Sequence, residues 1–463
     1  MMEAFLFIDF GSTYTKLTAV SAEEDVILAT AKSYTTVETD VMDGYRKAYE
    51  DLVTRLDNGI EFTKKLACSS AAGGLKIVAI GLVPELTMEA AKRAALGAGA
   101  RVTDVFSFKM NKSEVKKIRE SRADMILLAG GTNGGNTDVI LHNARMLRDG
   151  DIKVPIVVAG NKSCNDEIID IFEGHMNYHI TENVMPSLNN INVEPARETI
   201  RKIFMENIVK ARGMSHVKEF ISGILMPTPA AVLKAAEVLS EGTRDEDGIG
   251  DLAVIDIGGA TTDVHTICEG APSKPSVILR GLEEPVAKRT VEGDLGMRYS
   301  ALSLYEAAGK RYLRRHQLKN LSDIDVGKEF DYRSRHTDFV PTKEEDIAFD
   351  EVMAKICVDI SMKRHAGTVT QVYSPLGMMY SQEGKDLMEL PYLVGTGGVI
   401  VNSKNPKDIL KAGLFHEEDL ESLKPRHPKY LLDEKYVLSA LGLLAMVDEE
   451  KALRMLKKYI VEC

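Results

Sequence analysis

The sequence predicts an α/β protein built as two related lobes with a cleft between them. Three observations carry that reading. Short apolar runs alternate with helical patterns along most of the chain. One pattern of strand, acid and small-residue turn occurs at residues 7–13 and again at 254–260. Each copy is followed at a distance by a strand that ends in glycines.

The opening segment, AFLFIDFGSTYTKLTAVSA, reads as a strand, a tight turn and a returning strand. A polar stretch at 32–43 leads into a helical pattern through about residue 55. LACSSAAGGLKIVAIGL at 66–82 then gives a strand end, a small loop and another strand. Helix and strand alternate through 86–108 and 113–135, with a glycine loop at Gly130, Gly131, Gly134 and Gly135, and the alternation continues to residue 186. Residues 195–240 are helix-rich, punctuated at Gly213 and in MPTPA at 226–230. The charged, glycine-containing segment EGTRDEDGIGD at 241–251 is the expected boundary, dividing a first lobe at 1–245 from a second at 246–463. LAVIDIGGATTDVHTI at 252–267 restates the opening theme. From 268 to 390 the chain looks irregular and charged, with a basic helix at 305–318 and a polar loop around 330–345. PYLVGTGGVIV at 391–401 is the second glycine-ended strand, and YVLSALGLLAMV at 436–447 has the apolar density of a packed terminal helix, expected to fold back on the first lobe.

Composition narrows the function classes. A chain of 463 residues with 44% hydrophobic and 27% charged residues fills real cores and has a soluble surface. Its formal charge of −11, from 69 acidic against 58 basic residues, repels nucleic acid and anionic membranes at long range. Aromatics are 6% and tryptophan is absent, so no base-stacking platform is expected. The five cysteines, Cys68, Cys164, Cys268, Cys357 and Cys463, are dispersed without a CxxC pair, which suits buried thiols in a reducing compartment. The N-terminal stretch has neither a basic leader nor a long apolar run, so a cytoplasmic location is expected, with no membrane span.

The repeated turns point to phosphate chemistry. A strand that ends in Asp9 and turns through Gly11, Ser12 and Thr13 exposes successive backbone N–H groups. Those groups, with the hydroxyls of Ser12, Thr13 and Thr15, suit phosphate oxygens, and Lys16 on the returning strand adds a point charge. Asp9 suits a magnesium-bound water, because magnesium keeps much of its hydration shell and leans on few carboxylates. Asp256, Gly258, Gly259, Thr261, Thr262 and Asp263 supply the same chemistry from the second half. Two such loops facing across a cleft would clamp a phosphate chain from both sides, the electrostatic positioning that phosphoryl transfer or hydrolysis needs. Gly395, Thr396, Gly397 and Gly398 form a strand end where backbone can approach a flat ligand such as an adenosine. Neither a GxxxxGK[ST] loop nor a GxGxxG turn follows a suitable strand. His265, two residues beyond Asp263, reads as a packing histidine.

These residues resemble the ATPase superfamily of actin, Hsp70 and sugar kinases: DFGSTYTK at 9–16 is similar to its first phosphate motif, DIGGATTD at 256–263 to its second, and LVGTGGV at 393–399 to its adenosine motif. The resemblance implies a two-lobed actin-like fold of duplicated ribonuclease H-like domains, with ATP and Mg2+ in the cleft. It implies Asp9, Asp256 and Asp263 around the metal, and catalytic roles for Asp9, Asp256 and Lys16. Gly11, Ser12, Thr13 and Lys16 would meet the phosphates from one side, Gly258, Gly259, Thr261 and Thr262 from the other, and Gly395, Gly397 and Gly398 the adenosine.

Within that superfamily, MILLAGGTNGGNTDVI at 125–140, VVAGNK at 157–162, KRTVEGDLGMR at 288–298 and KYLLDEKYVLSALGLLA at 429–445 resemble the family of glutamate mutase accessory proteins called MutL or GlmL, unrelated to the mismatch-repair proteins of similar name. That resemblance implies an ATP-dependent reactivating factor for an adenosylcobalamin-dependent glutamate mutase or related aminomutase, promoting exchange of damaged cobalamin. A small-molecule kinase and a polymerising actin-like ATPase are the alternatives. The stretch 284–298, charged and containing two glycines, reads either as a partner or hinge segment or as a connecting loop.

Overall fold

The computed structural model describes residues 2–35, 41–57, 59–70, 75–208, 225–316, 325–374 and 377–463. Gly213, residues 71–74 of the small loop, and residues 317 and 318 of the basic helix lie outside the described residues.

β1 (Met2–Phe10), β2 (Tyr14–Ser21) and β3 (Ile27–Tyr34) form an antiparallel meander covered by α1 (Val41–Thr54), and β4 (Ile60–Ser69) lies parallel to β1. The chain then builds a separate sheet before completing the first. β5 (Lys76–Gly81), α2 (Glu89–Gly97), β6 (Arg101–Ser107), α3 (Lys112–Glu120), β7 (Met125–Leu128), α4 (Asp138–Asp149), β8 (Ile156–Val158), α5 (Asn165–Phe172) and β9 (Tyr178–Ile180) make an all-parallel sheet in the order β6-β5-β7-β8-β9. Helix α2 and α6 (Glu194–Ile208) cover one face; α3, α4 and α5 cover the other. Burial on both faces explains why MILL and IVV read as unbroken apolar runs. β10 (Leu225–Pro227) returns to the first sheet beside β4 and runs directly into α7 (Thr228–Glu241).

The second half continues with β11 (Leu252–Ile257), β12 (Thr262–Ile267), β13 (Val277–Arg280), β14 (Ala287–Glu292), α8 (Ala301–Arg315), α9 (Val326–Arg335), α10 (Glu344–His365), β15 (Thr368–Ser374), β16 (Gly377–Glu383) and β17 (Tyr392–Thr396). It ends with α11 (Gly398–Val401), α12 (Pro406–Leu410), β18 (Lys429–Asp433), α13 (Leu438–Ala445), α14 (Glu449–Tyr459) and β19 (Ile460–Glu462). Its main sheet has the order β14-β12-β11-β17-β18-β19, against β3-β2-β1-β4-β10 in the first half. In both, an antiparallel meander is followed by two parallel neighbours. The duplication expected from the two acidic turns is therefore a duplication of the whole sheet, and the molecule has the two-lobed actin-like α/β architecture.

The two sheets share one core. Phe7, Val20 and Leu66 from the first sheet and Leu252, Val254 and Val394 from the second pack on the apolar faces of α7, α13 and α14. Gly442 of α13 lies so close to α7 that a Cβ there would sit 1.9 Å from the Ala231 carbonyl oxygen.

Two expectations are corrected. The stretch 268–390 is not irregular: it contains α8, α9, the 22-residue α10 and the three-stranded sheet β13-β16-β15. The loop expected at 330–345 begins as helix, because α9 runs to Arg335. Charge in this region is turned inward. Arg333 is fully buried against Glu329 Oε2 and Asp350 Oδ1, both at 2.6 Å, and Arg298 takes the other Asp350 oxygen at 2.7 Å. Helix α10 is buried around much of its circumference and carries no amphipathic stripe, so periodicity does not reveal it. The meander strand β3 is an element that the sequence reading does not contain.

Candidate functional site

The two acidic turns are matched in backbone geometry. Gly11 N–H donates to the Tyr14 carbonyl at 3.0 Å, and Gly258 N–H to the Thr261 carbonyl at 2.9 Å. Asp9 pairs across its ladder with Lys16, and Asp256 with Asp263, so a lysine in one copy stands where an acid stands in the other. The turns also face each other: a Cβ on Gly259 would lie 2.9 Å from Thr13 Oγ1. That hydroxyl is buried and has no hydrogen-bond partner. An orphaned hydroxyl where the two turns meet is a donor left for an oxygen of a ligand beside them.

The three carboxylates are not equivalent. Asp9 is held from both lobes: Thr228 Oγ1 donates to Oδ1 at 2.7 Å, Ser439 Oγ to Oδ2 at 3.1 Å, and Lys16 Nζ lies 2.7 Å from Oδ2. Thr228 and Ser439 sit in the first turns of α7 and α13, so two helix N-termini converge on one anion, the favourable end of each macrodipole. Lys16 also lies 3.7 Å from the Tyr436 ring centroid. Burial works against its charge, but Asp9, Tyr436 and Asp256 outweigh that and keep it protonated above the ordinary lysine range.

Asp263 is spent elsewhere. Its Oδ1 takes Arg289 Nε and Nη2 at 2.8 and 2.5 Å, and its Oδ2 takes Thr261 Oγ1 at 3.1 Å. Asp256 accepts no hydrogen bond from any described side chain. Burial, followed by the charge of Asp263, pushes its carboxyl up to about 7, against the pull of Lys16. An approaching cation relieves that stress directly, and Asp256 is the carboxylate free to meet one. Among the described residues, no three His, Cys, Asp or Glu side chains form a ready-made metal cluster. A metal that keeps its waters and takes its remaining oxygens from a ligand is compatible with that sparse donor set.

Some of the expected hydroxyls serve packing. Thr15 hydrogen-bonds Thr35 at 3.1 Å on the buried side of the sheet, and Thr262 donates to the Leu295 carbonyl at 2.7 Å. Ser12 and Gly11 are half-buried in the turn. In the third motif, Gly395 is hemmed in by Ile400 and Leu410, and Gly397, at φ 95°, is pressed on the backbone of Ile257. Thr396 donates to Asp433 at 2.8 Å. Of the three glycines, Gly398 alone has open space beside its Cα.

Several residues at the site were not nominated from sequence: Thr228, Ser439, Tyr436, Arg289 and Asp433. Asp433 ends β18 as Asp9 and Asp256 end or nearly end their own strands, and it accepts from Thr396 Oγ1, Val437 N and Leu438 N at 2.8, 2.8 and 3.0 Å. Burial raises its carboxyl in spite of those bonds. The strand-final acid in YLLDEKY is the signal that was available. The segment 284–298 contains β14, and its end braces the second turn: Met297 N and Arg298 N donate to the carbonyls of Gly258 and Gly259 at 3.1 and 2.8 Å, and just beyond it Ser300 Oγ donates to that of Ala260 at 2.7 Å. His265 is fully buried and neither ring nitrogen has a partner, as a packing residue would be. Four of the cysteines are buried free thiols, and Cys463 is half-buried. No helix among the described residues is long and apolar enough to cross a membrane.

Comparison with known proteins gives a close likeness in sequence along the whole chain. The family described as "MutL protein" matches residues 5–460. Protein MutL of Clostridium tetanomorphum is 60% identical over 463 residues, covering all of both chains. Solved structures are far more remote. The nucleotide-free structure of acetone carboxylase is 14% identical, over 96% of this chain and 70% of that one, with a TM-score of 0.39. Gluconate kinase from Lactobacillus acidophilus is 10% identical, over 100% and 93%, with a TM-score of 0.34.

Proposed function

From the premise that this chain belongs to the MutL protein family, we propose that it is an ATP- and Mg2+-dependent reactivating factor for an adenosylcobalamin-dependent glutamate mutase or related aminomutase, exchanging damaged cobalamin for intact cofactor. The observation that carries the nucleotide part is the pair of facing turns, with the orphaned Thr13 hydroxyl opposite Gly259 and the unengaged Asp256 beside them. The mutase part comes from the family resemblance.

Asp256 would be the residue offered to Mg2+, with Asp9 and Asp263 as the neighbouring carboxylates of the same site. Thr13, Ser12 and the amides of Gly11, Gly258 and Gly259 receive phosphate oxygens, and Gly398 leaves room for the adenosine. Lys16, held by Asp9 and Tyr436, supplies a fixed positive charge at the cleft floor. When bound, ATP and its metal would supply the charge that the two turns hold in common. Because Asp9 is held by helix ends from both halves, a displacement of Asp9 would be felt by α7 and α13 together.

The test is hydrolysis of Mg-ATP by the purified chain, alone and with holo glutamate mutase inactivated during turnover, following recovered mutase activity and released cobalamin. Recovery that requires ATP and is lost in Asp256→Asn is expected. Nucleotide binding without recovery for glutamate mutase or any aminomutase would overturn the assignment and turn attention to phosphoryl acceptors.

A further inference from the structure

One buried guanidinium joins the inserted parallel sheet to the second lobe. Arg289 on β14 is 5% exposed, and four hydrogen bonds occupy its fork. Nε and Nη2 are on Asp263 Oδ1, while Nη1 donates to the carbonyls of Leu96 and Ala100 at 2.9 and 2.8 Å. Leu96 lies in the last turn of α2, and Ala100 in the chain that leaves it. That helix has no basic residue in its own last turn, so its negative end is completed from outside: by Arg289 from the other lobe and by Arg201 of α6, on the Gly97 carbonyl at 3.1 Å. On the other side of the link, Thr261 lies in the second phosphate loop and donates to the remaining oxygen of Asp263. The contacts therefore run without a gap from that loop through Thr261, Asp263 and Arg289 to the end of α2.

Helix α2 transmits what happens at its end. Its buried alanines, Ala90, Ala91, Ala94 and Ala95, pack with β5 and β7 strand residues in one core. Such a helix moves with its sheet. The same seam carries Arg93 on Glu284 at 3.0 Å. Directly across the ladder from Arg289 stands His265, buried, with both ring nitrogens unpartnered. A planar fork with four of its five donors committed cannot follow a shift of Asp263 and keep its grip on two fixed carbonyls.

We propose that Arg289 is a positioning residue through which occupancy of the second phosphate loop and the seating of the inserted sheet control one another. This deepens the proposed function and rests on its nucleotide-binding part. The coupling is reciprocal: a partner that displaces the inserted sheet changes nucleotide affinity by the same factor by which nucleotide changes that displacement.

Hydrogen exchange by mass spectrometry on the full chain, with and without saturating Mg-ATP, tests this beside calorimetric titration of the nucleotide. In the wild type, the amides of Ala98, Gly99 and Ala100, which bond back to Ala94, Leu96 and Ala95, should change exchange rate by about fivefold or more on binding, the lower end of ordinary allosteric coupling. In Arg289→Lys, which keeps the charge and loses the fork, nucleotide should still bind and the change should vanish. Binding with no change at 98–100 in the wild type, which requires no variant, overturns the inference alone. So does an undiminished change in Arg289→Lys. Absence of nucleotide binding by the wild type overturns the proposed function and this inference with it.

Discussion

Replacing Gly442 by alanine tests whether the shared helical core sets the geometry of the cleft. The new Cβ would lie 1.9 Å from the Ala231 carbonyl oxygen and 2.6 Å from its carbon. Ordinary carbon–oxygen contact begins near about 3.4 Å, so α7 and α13 must part by about 1.5 Å. The obstacle is main chain and cannot swing aside. Overpacking of that kind costs about 3 kcal/mol at its upper range, and exchanging a helical glycine for alanine returns about 1, which leaves a net loss of about 2 kcal/mol. The functional consequence is larger in proportion. Thr228 and Ser439, in the first turns of these two helices, hold Asp9 at 2.7 and 3.1 Å. A hydrogen bond does not survive an added ångström, so at least one of the two is lost. A bond to a charged group is worth about 1.5–3 kcal/mol, which predicts a fall in Mg-ATP affinity of about tenfold or more. Urea unfolding at constant m-value reads the first effect and titration calorimetry the second. A Gly442→Ala protein as stable as the wild type, with unchanged affinity, would refute the claim that these helices meet at residue 442 and position Asp9.

Three further outcomes follow from the same contacts. Asp256→Asn should abolish hydrolysis, yet leave stability equal or improved. A carboxyl raised to about 7 disfavours its own charged form in the folded state, so the wild type loses stability as pH rises from the unfolded carboxylate range to about 7; that slope should flatten in the variant's pH-dependent melting. Thr13→Val removes an unpaired buried hydroxyl, so unfolding experiments should show a gain of about 1 kcal/mol while nucleotide affinity falls. Asp359→Asn strands Lys424 and Arg315, which pair with it at 2.7 and 3.0 Å, and should cost about 3–5 kcal/mol in chemical denaturation. Burial opposes the charge of Asp359, but His316, Lys424 and Arg315 hold its carboxyl well below the usual range. Its stabilisation is therefore present above the unfolded carboxylate pKa and lost as pH falls below it, so acid unfolding should begin at higher pH in the variant.

Local chemistry in the chain is enough to announce the two acidic turns. An apolar run, an acid and glycines encode strand and turn within a few residues, and the repetition of that grammar at Asp9 and Asp256 implies duplicated lobes before any contact is known. The same holds for the alternation through 75–186, although not for its outcome as a separate sheet: strand order depends on which edges meet, and no residue announces its neighbour. Helices α9 and α10 are not legible in the sequence because Arg333, Asp350 and Asp359 are charged residues that lie in a core, with partners as far as 65 positions away.

The division within the site has the same origin. Residue type and spacing nominated Asp9, Lys16, Thr13, Asp256 and Gly259, since each lies in a strand-turn-strand unit whose backbone geometry is local. Tertiary structure alone decided that Asp263 belongs to Arg289, that Asp9 is shared by Thr228 and Ser439, and that Asp256 is left open. A sequence specifies what a side chain can donate or accept. Which partner it meets depends on how distant segments pack, and in a buried cleft that partner determines whether a carboxylate is a structural anchor or the group free to meet a metal.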